Sequence, residues 1–556
     1  MKVFRPKLLD TVKGYSKKQL LNDIIAGIIV AIIALPLSIA LAIASGVEPV
    51  QGLYTAIVAG FVIALLGGSR VNISGPTAAF ATIVAGIVAQ FGMQGLVIAT
   101  IMAGILLILM GICRFGALIK YVPHTITTGF TSGIAVTIAI GQIKDFLGLT
   151  FAPGIAPIET VEKLEAVIHS FTTLNWHALL VGGIGLLILI VWSKINKRIP
   201  PSLIAVVVGV LLVKLLPLEV NTIGDLYTID RSLPTFSAPS FDFETIKALL
   251  PSAFTIAILA AIESLLSCVV SDGMIGDRHN SNTELIAQGV GNVASGLFGG
   301  IPATGAIART AANVKNGGRS PISGIVHAVV LFLILVVLMP YAAWIPMPII
   351  AAILFMVAYN MCEWRQFVRI CKTAQWNDIL VLVLTFVLTV VFDLVVAIAV
   401  GMIVTAFLLM KRMADAAHVR SWEDEKEDHA HAHPKHIPPQ TVVYEIDGPM
   451  FFAASEKIAS ITLRSDIRVV ILRMSGVSVL DVSAMHSLDH IKDACREAGA
   501  ALLLSHVQEQ PRIMMKKTGF YDAVGEDHVL SNIDEALALA EQIVNAEPKN
   551  GAEENV

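Results

Sequence analysis

The chain has 556 residues, of which 55% are hydrophobic and 15% charged. Soluble globular proteins carry roughly a quarter charged residues, so this composition excludes a purely soluble enzyme, a disordered scaffold and a nucleic-acid-binding protein. The formal net charge of −4 gives no indication of a polyanionic partner. Five cysteines have no CxxC pair or other metal-ligand spacing, and we expect them to be reduced packing residues: Cys113, Cys268, Cys362, Cys371 and Cys495.

The apolar residues are concentrated before residue 414. Residues 51–113 contain Arg70 as their single charged residue, whereas the composition from Arg420 onward is that of a soluble protein. A spanning helix needs about 20 mostly apolar residues, so a stretch such as 51–113 holds at least two spans. We therefore predict an N-terminal segment (1–22), a membrane domain (23–413), a linker (414–439), a soluble domain (440–546) and a disordered tail (547–556).

Fourteen apolar blocks separated by polar breaks are the predicted membrane spans: 24–45, 50–67, 76–90, 95–113, 122–141, 178–193, 200–216, 249–271, 283–298, 304–314, 321–339, 345–361, 376–392 and 394–410. Lys and Arg are enriched in cytoplasmic loops. They occur in the N-terminal segment and in every even-numbered loop, so we expect both termini in the cytoplasm.

The linker and the soluble domain have distinct patterns. The part of the linker from Ser421 onward contains four histidines, His429, His431, His433 and His436. We favour a solvated spacer, with adventitious or regulatory metal binding as the alternative. After residue 440, β-rich apolar runs alternate with helical patterns near 454–465 and 482–498, which predicts an α/β domain. Its last helix, 533–545, is expected to be capped by Asn532. Ser483 is either a helix N-cap or a regulatory phosphorylation site.

The two short blocks are entered by similar segments, ISGPTAAFAT (Ile73–Thr82) and GIPATGAIART (Gly300–Thr310). Pro suits the first turn of a helix, because its missing N–H would have no partner there. A helix that starts in mid-membrane presents free N–H donors and a positive dipole end. Two such segments in corresponding halves indicate a transporter binding site, and tight membrane turns without a ligand are the alternative.

Two charged residues at membrane depth fit this pattern. Arg309 follows the start of the second short helix, where its charge selects for an anion; an arginine that snorkels to the interface is the alternative. Glu263 lies near the middle of the block 249–271, where a carboxylate can hold a proton or Na⁺, with Ser267 one turn further on the same face. The alternative is a structural pair between Glu263 and Arg309. Asp393 divides the last apolar stretch and is expected to cap an external turn.

Several stretches resemble the sulfate permease (SulP) family of anion transporters: GVEPVQGLYTA (46–56), ISGPTAAF (73–80), GFTSGIAVTI (129–138), AIESLLSCVVSDGM (261–274) and IARTAANV (307–314). The C-terminal part is similar to that family's STAS domain, and the motifs look closest to the proteobacterial C4-dicarboxylate transporters. The resemblance implies a polytopic α-helical fold of 14 spans in two inverted seven-span repeats, with core and gate domains and two half-helices. It also implies a cytoplasmic α/β STAS domain and a homodimer in the bacterial inner membrane.

The resemblance further implies the residues of a site. Those that would face the anion come from both half-helices: Thr77, Ala78, Phe80, Ala308 and Arg309. Positions that bind the ion in Na⁺-coupled bicarbonate members correspond to Glu263 and Ser267. Ala308 occupies a position that is serine in some animal members, and Leu37 one that is acidic in some members. Glu263 is therefore the main candidate for coupling.

The sequence thus predicts a secondary active transporter of small anions (dicarboxylate, sulfate or bicarbonate) rather than an enzyme. It would work by alternating access, coupled to H⁺ or Na⁺, with no cofactor beyond that ion and no resident metal. An anion channel or exchanger, or a membrane sensor read out through the STAS domain, is the alternative. Expected partners are the anion, the lipid bilayer, a second copy of the chain and a cytoplasmic protein at the STAS domain; no nucleic acid is expected.

Overall fold

The computed structural model describes residues 4–11, 14–117, 123–153, 157, 159–195, 199–228, 232–240, 242–392, 394–422, 436–459, 461 and 464–546. The predictions for Asp393, for His429, His431 and His433, and for the tail 547–556 concern residues outside this set. The chain divides into two compact units, Met1–Met402 and Ile403–Val556.

The first unit is helical. Its helices, the last of which continues into the second unit, are α1 (Lys7–Thr11), α2 (Lys17–Ala44), α3 (Pro49–Leu66), α4 (Ala81–Ile112), α5 (His124–Leu147), α6 (Thr160–His169), α7 (Trp176–Ile195), α8 (Pro201–Leu215), α9 (Ile223–Leu226), α10 (Phe243–Ile275), α11 (Ser281–Leu297), α12 (Ile307–Lys315), α13 (Ile322–Ala342), α14 (Met347–Met361), α15 (Trp364–Thr373), α16 (Trp376–Val391) and α17 (Leu394–Ala416). Two short strands, β1 (Ser74–Gly75) and β2 (Thr304–Gly305), lie between them, and a 3₁₀ turn at Ala78–Phe80 precedes α4.

Each of the 14 predicted blocks coincides with one of these helices or with half of one. The predicted break after residue 90 is a kink within α4 at Gly92, where the backbone has φ 65° and ψ −171°, a region that favours glycine. Within the described residues, eight helices are long and apolar enough to cross a membrane. Three apolar helices are shorter: Trp176–Trp192, Pro201–Leu215 and Trp376–Val391.

Packing divides the helices into two groups. The first helix group is α2, α3, α4 and α10–α13, and the second helix group is α5, α7, α8, α14 and α16. Glycines allow close crossings within the first: a Cβ at Gly104 of α4 would lie 2.6 Å from the Gly289 oxygen of α11. Between the groups, α2 contacts α8 and α14, and the 3₁₀ turn Ala78–Phe80 contacts α5. The segment that enters the first predicted half-helix therefore lies at the boundary between the groups.

An ionic cluster ties the N-terminal segment to the first helix group. Asp277 Oδ2 lies 3.1 Å from Lys7 Nζ and 2.9 Å from Arg70 Nε. Burial raises the pKa of Asp277, but hydrogen bonds from the Arg278 backbone and from Lys7, with the charges of Lys7 and Arg70, outweigh it and hold that pKa below its ordinary value. These residues belong to three segments that the sequence predicts on one side of the membrane, and the structure brings them together.

The second unit contains a five-stranded sheet in the order β3 (His418–Ser421), β4 (Thr441–Asp447), β5 (Val469–Gly476), β6 (Ala501–Ser505) and β7 (Val529–Leu530). β3 is antiparallel to β4, and the other pairs are parallel. Its helices are α18 (Ser455–Ala459), α19 (Val482–Glu497), α20 (Glu509–Thr518), α21 (Phe520–Val524) and α22 (Ile533–Asn545). Successive residues of β5 face opposite sides of the sheet: Val470 belongs to one apolar core and Ile471 to another. The continuous apolar sequence of this strand therefore reflects burial on both sides.

This unit departs from the sequence prediction in three places. β3 lies inside the segment predicted as linker, 414–439. The sequence did not predict it because its four residues are exposed or half-exposed and show no apolar alternation. The helix expected near 454–465 is formed only at Ser455–Ala459 in the described residues. The segment α20–α21 was not predicted. The last helix agrees in its bounds, and Asn532 caps it by accepting a hydrogen bond from the Glu535 N–H at 2.9 Å.

Candidate functional site

The two predicted half-helices begin side by side. β1 and β2 pair antiparallel, with Ser74 opposite Gly305 and Gly75 opposite Thr304. The Ala306 N–H extends the contact by donating to the Ile73 oxygen at 2.8 Å. Each strand leads directly into its helix, so one small sheet fixes the start of both. The antiparallel pairing of corresponding segments is the geometry that two inverted repeats require.

Neither helix start is closed by a side chain. The cap residues Thr77 and Ala306 are extended and make no side-chain capping hydrogen bond, so the first N–H groups have no intrahelical partner. Ala308 is exposed, whereas the Ala78 and Phe80 side chains are buried, at 6% and 1% exposure. Of the residues implied to face the anion, Thr77 and Ala308 reach accessible space with their side chains. Ala78 can offer only its backbone N–H, and the Phe80 N–H already donates to the Thr77 oxygen at 3.4 Å.

Arg309 spans the distance between the two starts. Its side chain is 4% exposed, and Nη2 donates to the Pro76 oxygen at 2.6 Å. Nη1 has no hydrogen-bond partner and lies against Gly75, where an added Cβ would be 2.6 Å away. A snorkelling arginine would place its guanidinium in water, which this burial contradicts. A buried guanidinium with a free donor beside two open helix N-termini makes a strongly anion-selective environment.

Glu263 lies within α10 and remains partly exposed. Its Oε2 accepts a hydrogen bond from Thr77 Oγ1 at 3.0 Å, so the carboxylate touches the first helix start. Both Glu263 and Arg309 are described, and they form no ion pair within 4.0 Å. The alternative of a structural Glu263–Arg309 pair is therefore wrong for this conformation. Among the described residues, no Lys, Arg or His side chain forms an ion pair within 4.0 Å of this carboxylate, which lies beside the candidate anion site.

Ser267 does not meet Glu263 through its hydroxyl. It is fully buried, and its Oγ lies 2.7 Å from Asn72 Oδ1 and 3.1 Å from Thr310 Oγ1. The structure thus brings Thr77, rather than Ser267, to the carboxylate. In the described part of the chain, no group of three or more His, Cys, Asp or Glu side chains could hold a metal ion.

A second serine of α10 holds β2 in place. Ser264 Oγ lies 2.7 Å from Thr304 Oγ1 and accepts from the Gly305 N–H at 3.0 Å, and Thr304 Oγ1 also donates to the Ala260 oxygen at 3.0 Å. This contact fixes the second helix start relative to α10. The residue next to Ser264 is Glu263, so the carboxylate and both helix starts belong to one connected structure.

Sequence reasoning missed the buried polar network behind the site. Glu284 of α11 is 1% exposed. It accepts from the N–H groups of Gly68 and Ser69 at 2.9 and 3.2 Å, and from Asn72 Nδ2 and Gln288 Nε2 at 2.8 and 3.0 Å. Four donors satisfy a buried carboxylate that would otherwise be costly. The available signal was the i, i+4 spacing of Glu284, Gln288 and Asn292 along an apolar block.

The regulatory candidate Ser483 lies in the second unit. It is exposed and belongs to the first turn of α19. The N-cap of that helix is Asp481, whose carboxylate accepts from the Ala484 N–H at 2.8 Å. The alternative that Ser483 is the N-cap is therefore wrong, and its phosphorylation stays a prediction. His436, the one of the four histidines after Ser421 that the structure describes, is exposed.

Comparison with known proteins agrees with this architecture. Residues 20–385 match the sulfate permease family, and residues 433–536 match the STAS domain. YvdB, a candidate sulfate transporter of Bacillus subtilis (strain 168), is 40% identical over 538 residues, covering 94% of this chain and 98% of YvdB. The bicarbonate transporter BicA of Picosynechococcus sp. (strain ATCC 27264 / PCC 7002 / PR-6) is 30% identical, covering 93% of this chain and 94% of BicA.

Solved structures show the same fold. The transmembrane domain of a cyanobacterial bicarbonate transporter BicA superposes with a TM-score of 0.63 at 31% identity, covering 69% of this chain and 98% of that domain. The murine Solute Carrier 26 family member A9 anion transporter superposes with a TM-score of 0.86 at 19% identity, covering 97% of this chain and 94% of the murine chain. The predicted multi-pass helical transporter fold with a C-terminal STAS domain is confirmed. The chain belongs to the sulfate permease family.

Proposed function

We propose that this protein is a secondary active anion transporter that works by alternating access. The observation that carries the proposal is the convergence, at the β1–β2 pair, of two open helix N-termini and the buried Arg309 guanidinium with its free Nη1. Such a site binds an anion through backbone donors and a fixed positive charge. The contact of its first helix start with α5 of the second helix group supports exposure to either side of the membrane in turn.

The proposed substrates are small oxyanions or carboxylates: a dicarboxylate, sulfate or bicarbonate. The relatives YvdB and BicA are named for sulfate and bicarbonate, and planar or tetrahedral oxygen groups suit N–H donors and a guanidinium. The small side chains of Thr77 and Ala308 leave their backbone donors accessible. The dicarboxylate rests on the resemblance of motifs alone.

Glu263 is the proposed coupling residue. Its carboxylate is hydrogen-bonded to Thr77 at one helix start, so an anion bound there experiences its negative charge at close range. Binding of H⁺ or Na⁺ to Glu263 removes that repulsion, which makes the two ligands bind together. Loading both also leaves the first helix group with less net charge to carry past the second than loading the anion alone.

Uptake into proteoliposomes tests the proposal. The purified full-length protein is given labelled succinate, sulfate or bicarbonate, each under an inward H⁺ gradient, an inward Na⁺ gradient or neither. We expect one of the anions to be concentrated under one gradient. Arg309→Ala should raise the half-saturating concentration of that anion at least tenfold. Arg278→Ala, outside the spans, is the control. Conductance without uphill accumulation would indicate a channel instead, and binding without flux would indicate a sensor.

We further propose a homodimer in the bacterial inner membrane with both termini cytoplasmic and a cytoplasmic protein partner at the STAS domain. The support for the orientation is the concentration of Lys and Arg in alternate loops. Accessibility of single cysteines introduced at Ser237 and at Thr373, both exposed, to an impermeant thiol reagent tests it in intact cells. We expect Ser237, after the seventh predicted span, to react and Thr373, after the twelfth, to be protected; the reverse pattern would contradict the orientation.

A further inference from the structure

An apolar crevice of about 300 Å³ opens between α2, α8 and α13, and none of its lining residues belongs to the candidate anion site. Pro36, Val207, Leu211, Leu338 and Trp344 are among its lining residues, and all the lining side chains are aliphatic, aromatic, proline or methionine. Its volume is at the lower end of the range found for small-ligand pockets. An apolar cavity of this kind offers no partners for water molecules and favours an apolar occupant.

The crevice is open on the outer surface of the helix bundle. Val207 and Leu211 are 48% and 51% exposed, and Leu338 and Trp344 are 46% and 44% exposed. They lie on or beside apolar helices of membrane-spanning character, where the surrounding medium is lipid hydrocarbon rather than water. Acyl chains of the bilayer therefore have direct access to the crevice.

A cation marks one end of the crevice. Lys214 follows Leu211 by one turn of α8, is exposed, and places its Nζ 4.3 Å from the centre of the Trp344 ring. Trp and Lys together are typical of the membrane–water interface, where the long Lys side chain lies along apolar surface and its ammonium reaches the headgroups. An ammonium at this position attracts the phosphate of a lipid whose acyl chain enters the crevice.

We propose that the crevice binds one acyl chain of an anionic phospholipid, with the headgroup held near Lys214. The lining comes from both helix groups, since α2 and α13 belong to the first and α8 to the second. If the groups move relative to each other, as the proposed function requires, the bound chain acts as a wedge and its presence sets the rate of that movement.

Photolabelling of the full-length protein in liposomes tests lipid binding directly. The probe is phosphatidylglycerol or phosphatidylcholine with a photoreactive diazirine in the acyl chain, and the labelled peptides are mapped by mass spectrometry. We expect labelling of residues 203–211 and 334–345. It should be lost in Val207→Phe, which fills the crevice, and kept in Val329→Phe, a matched change at an exposed α13 position (46%) that does not line it.

Lys214→Gln should reduce labelling by phosphatidylglycerol about fivefold, the factor expected for one basic residue near an anionic headgroup, and leave phosphatidylcholine unchanged. Equal labelling of Val207→Phe and Val329→Phe, absence of label from both segments, or no effect of Lys214→Gln would overturn the proposal. Uptake in the same liposomes separates it from the proposed function. Labelling requires no transport. A wild-type protein that is labelled but moves no anion would therefore contradict only the proposed transport function.

Discussion

Replacing Gly75 with alanine tests whether contact with β1 positions the Arg309 guanidinium. The added Cβ would lie 2.6 Å from Arg309 Nη1 but 3.5 Å from the Cα of Ala56, so the guanidinium is the group that must move. Gly75 does not have a positive φ, and alanine therefore introduces no left-handed backbone strain. The substitution acts through the Cβ alone.

The expected magnitude follows from the contact that is lost. Moving the guanidinium disturbs its 2.6 Å hydrogen bond to the Pro76 oxygen. A hydrogen bond from a charged group contributes about 1.5–3 kcal/mol, and overpacking a close contact costs about 1–3 kcal/mol. Each 1.4 kcal/mol is roughly tenfold in affinity. A site that uses this guanidinium should bind its anion about 10- to 100-fold more weakly in Gly75→Ala.

The assay is the half-saturating concentration of labelled anion for uptake into proteoliposomes. Gly86→Ala is the matched control, because an added Cβ at that α4 position meets no atom within 4 Å. We expect Gly86→Ala to keep the wild-type value. A Gly75→Ala protein that unfolds at the wild-type temperature and also keeps the wild-type half-saturation would refute the assignment of Arg309 to the anion site.

Two further predictions concern stability. Glu284→Gln leaves at least two of the four donors around that side chain without an acceptor, and should lower the free energy of unfolding by about 2–6 kcal/mol. The exposed Glu244→Gln in the first turn of α10 should cost under about 1 kcal/mol; equal losses by denaturant titration would contradict the network. The pKa of Asp277 is held below its ordinary 3.8, so its stabilisation is present at neutral pH and is lost as pH falls through the folded-state pKa. The difference in unfolding temperature between the wild type and Asp277→Asn should thus be constant from about pH 7 to pH 5 and shrink below about pH 4; a constant difference down to pH 3 would count against it.

The sequence predicted the membrane helices because bilayer thickness imposes a length on each apolar block. It also predicted the two half-helices, since Pro76 and Pro302 each precede a run of small residues that suits a helix start in mid-membrane. Arg309 and Glu263 were recognisable because charges at that depth are rare. In these cases a local pattern carried the information.

The contacts that assemble the site have no local pattern. Glu263 receives its hydrogen bond from Thr77, and Ser267 shares Asn72 with Thr310; each pair joins residues from distant parts of the chain. Their partners depend on how α10 packs against the β1–β2 pair, which periodicity does not specify. For the same reason Ser267 was predicted beside the coupling ion although its hydroxyl is engaged elsewhere.

The central claim is that Glu263 couples cation movement to anion movement at a site formed by two helix starts and Arg309. The most direct measurement is the accumulation ratio of the transported anion in proteoliposomes under an inward H⁺ or Na⁺ gradient, for the wild type, Glu263→Gln and the control Glu244→Gln. We predict that the wild type and Glu244→Gln concentrate the anion, whereas Glu263→Gln equilibrates or exchanges it without concentrating it. Gradient-driven accumulation by Glu263→Gln equal to that of the wild type would contradict the account.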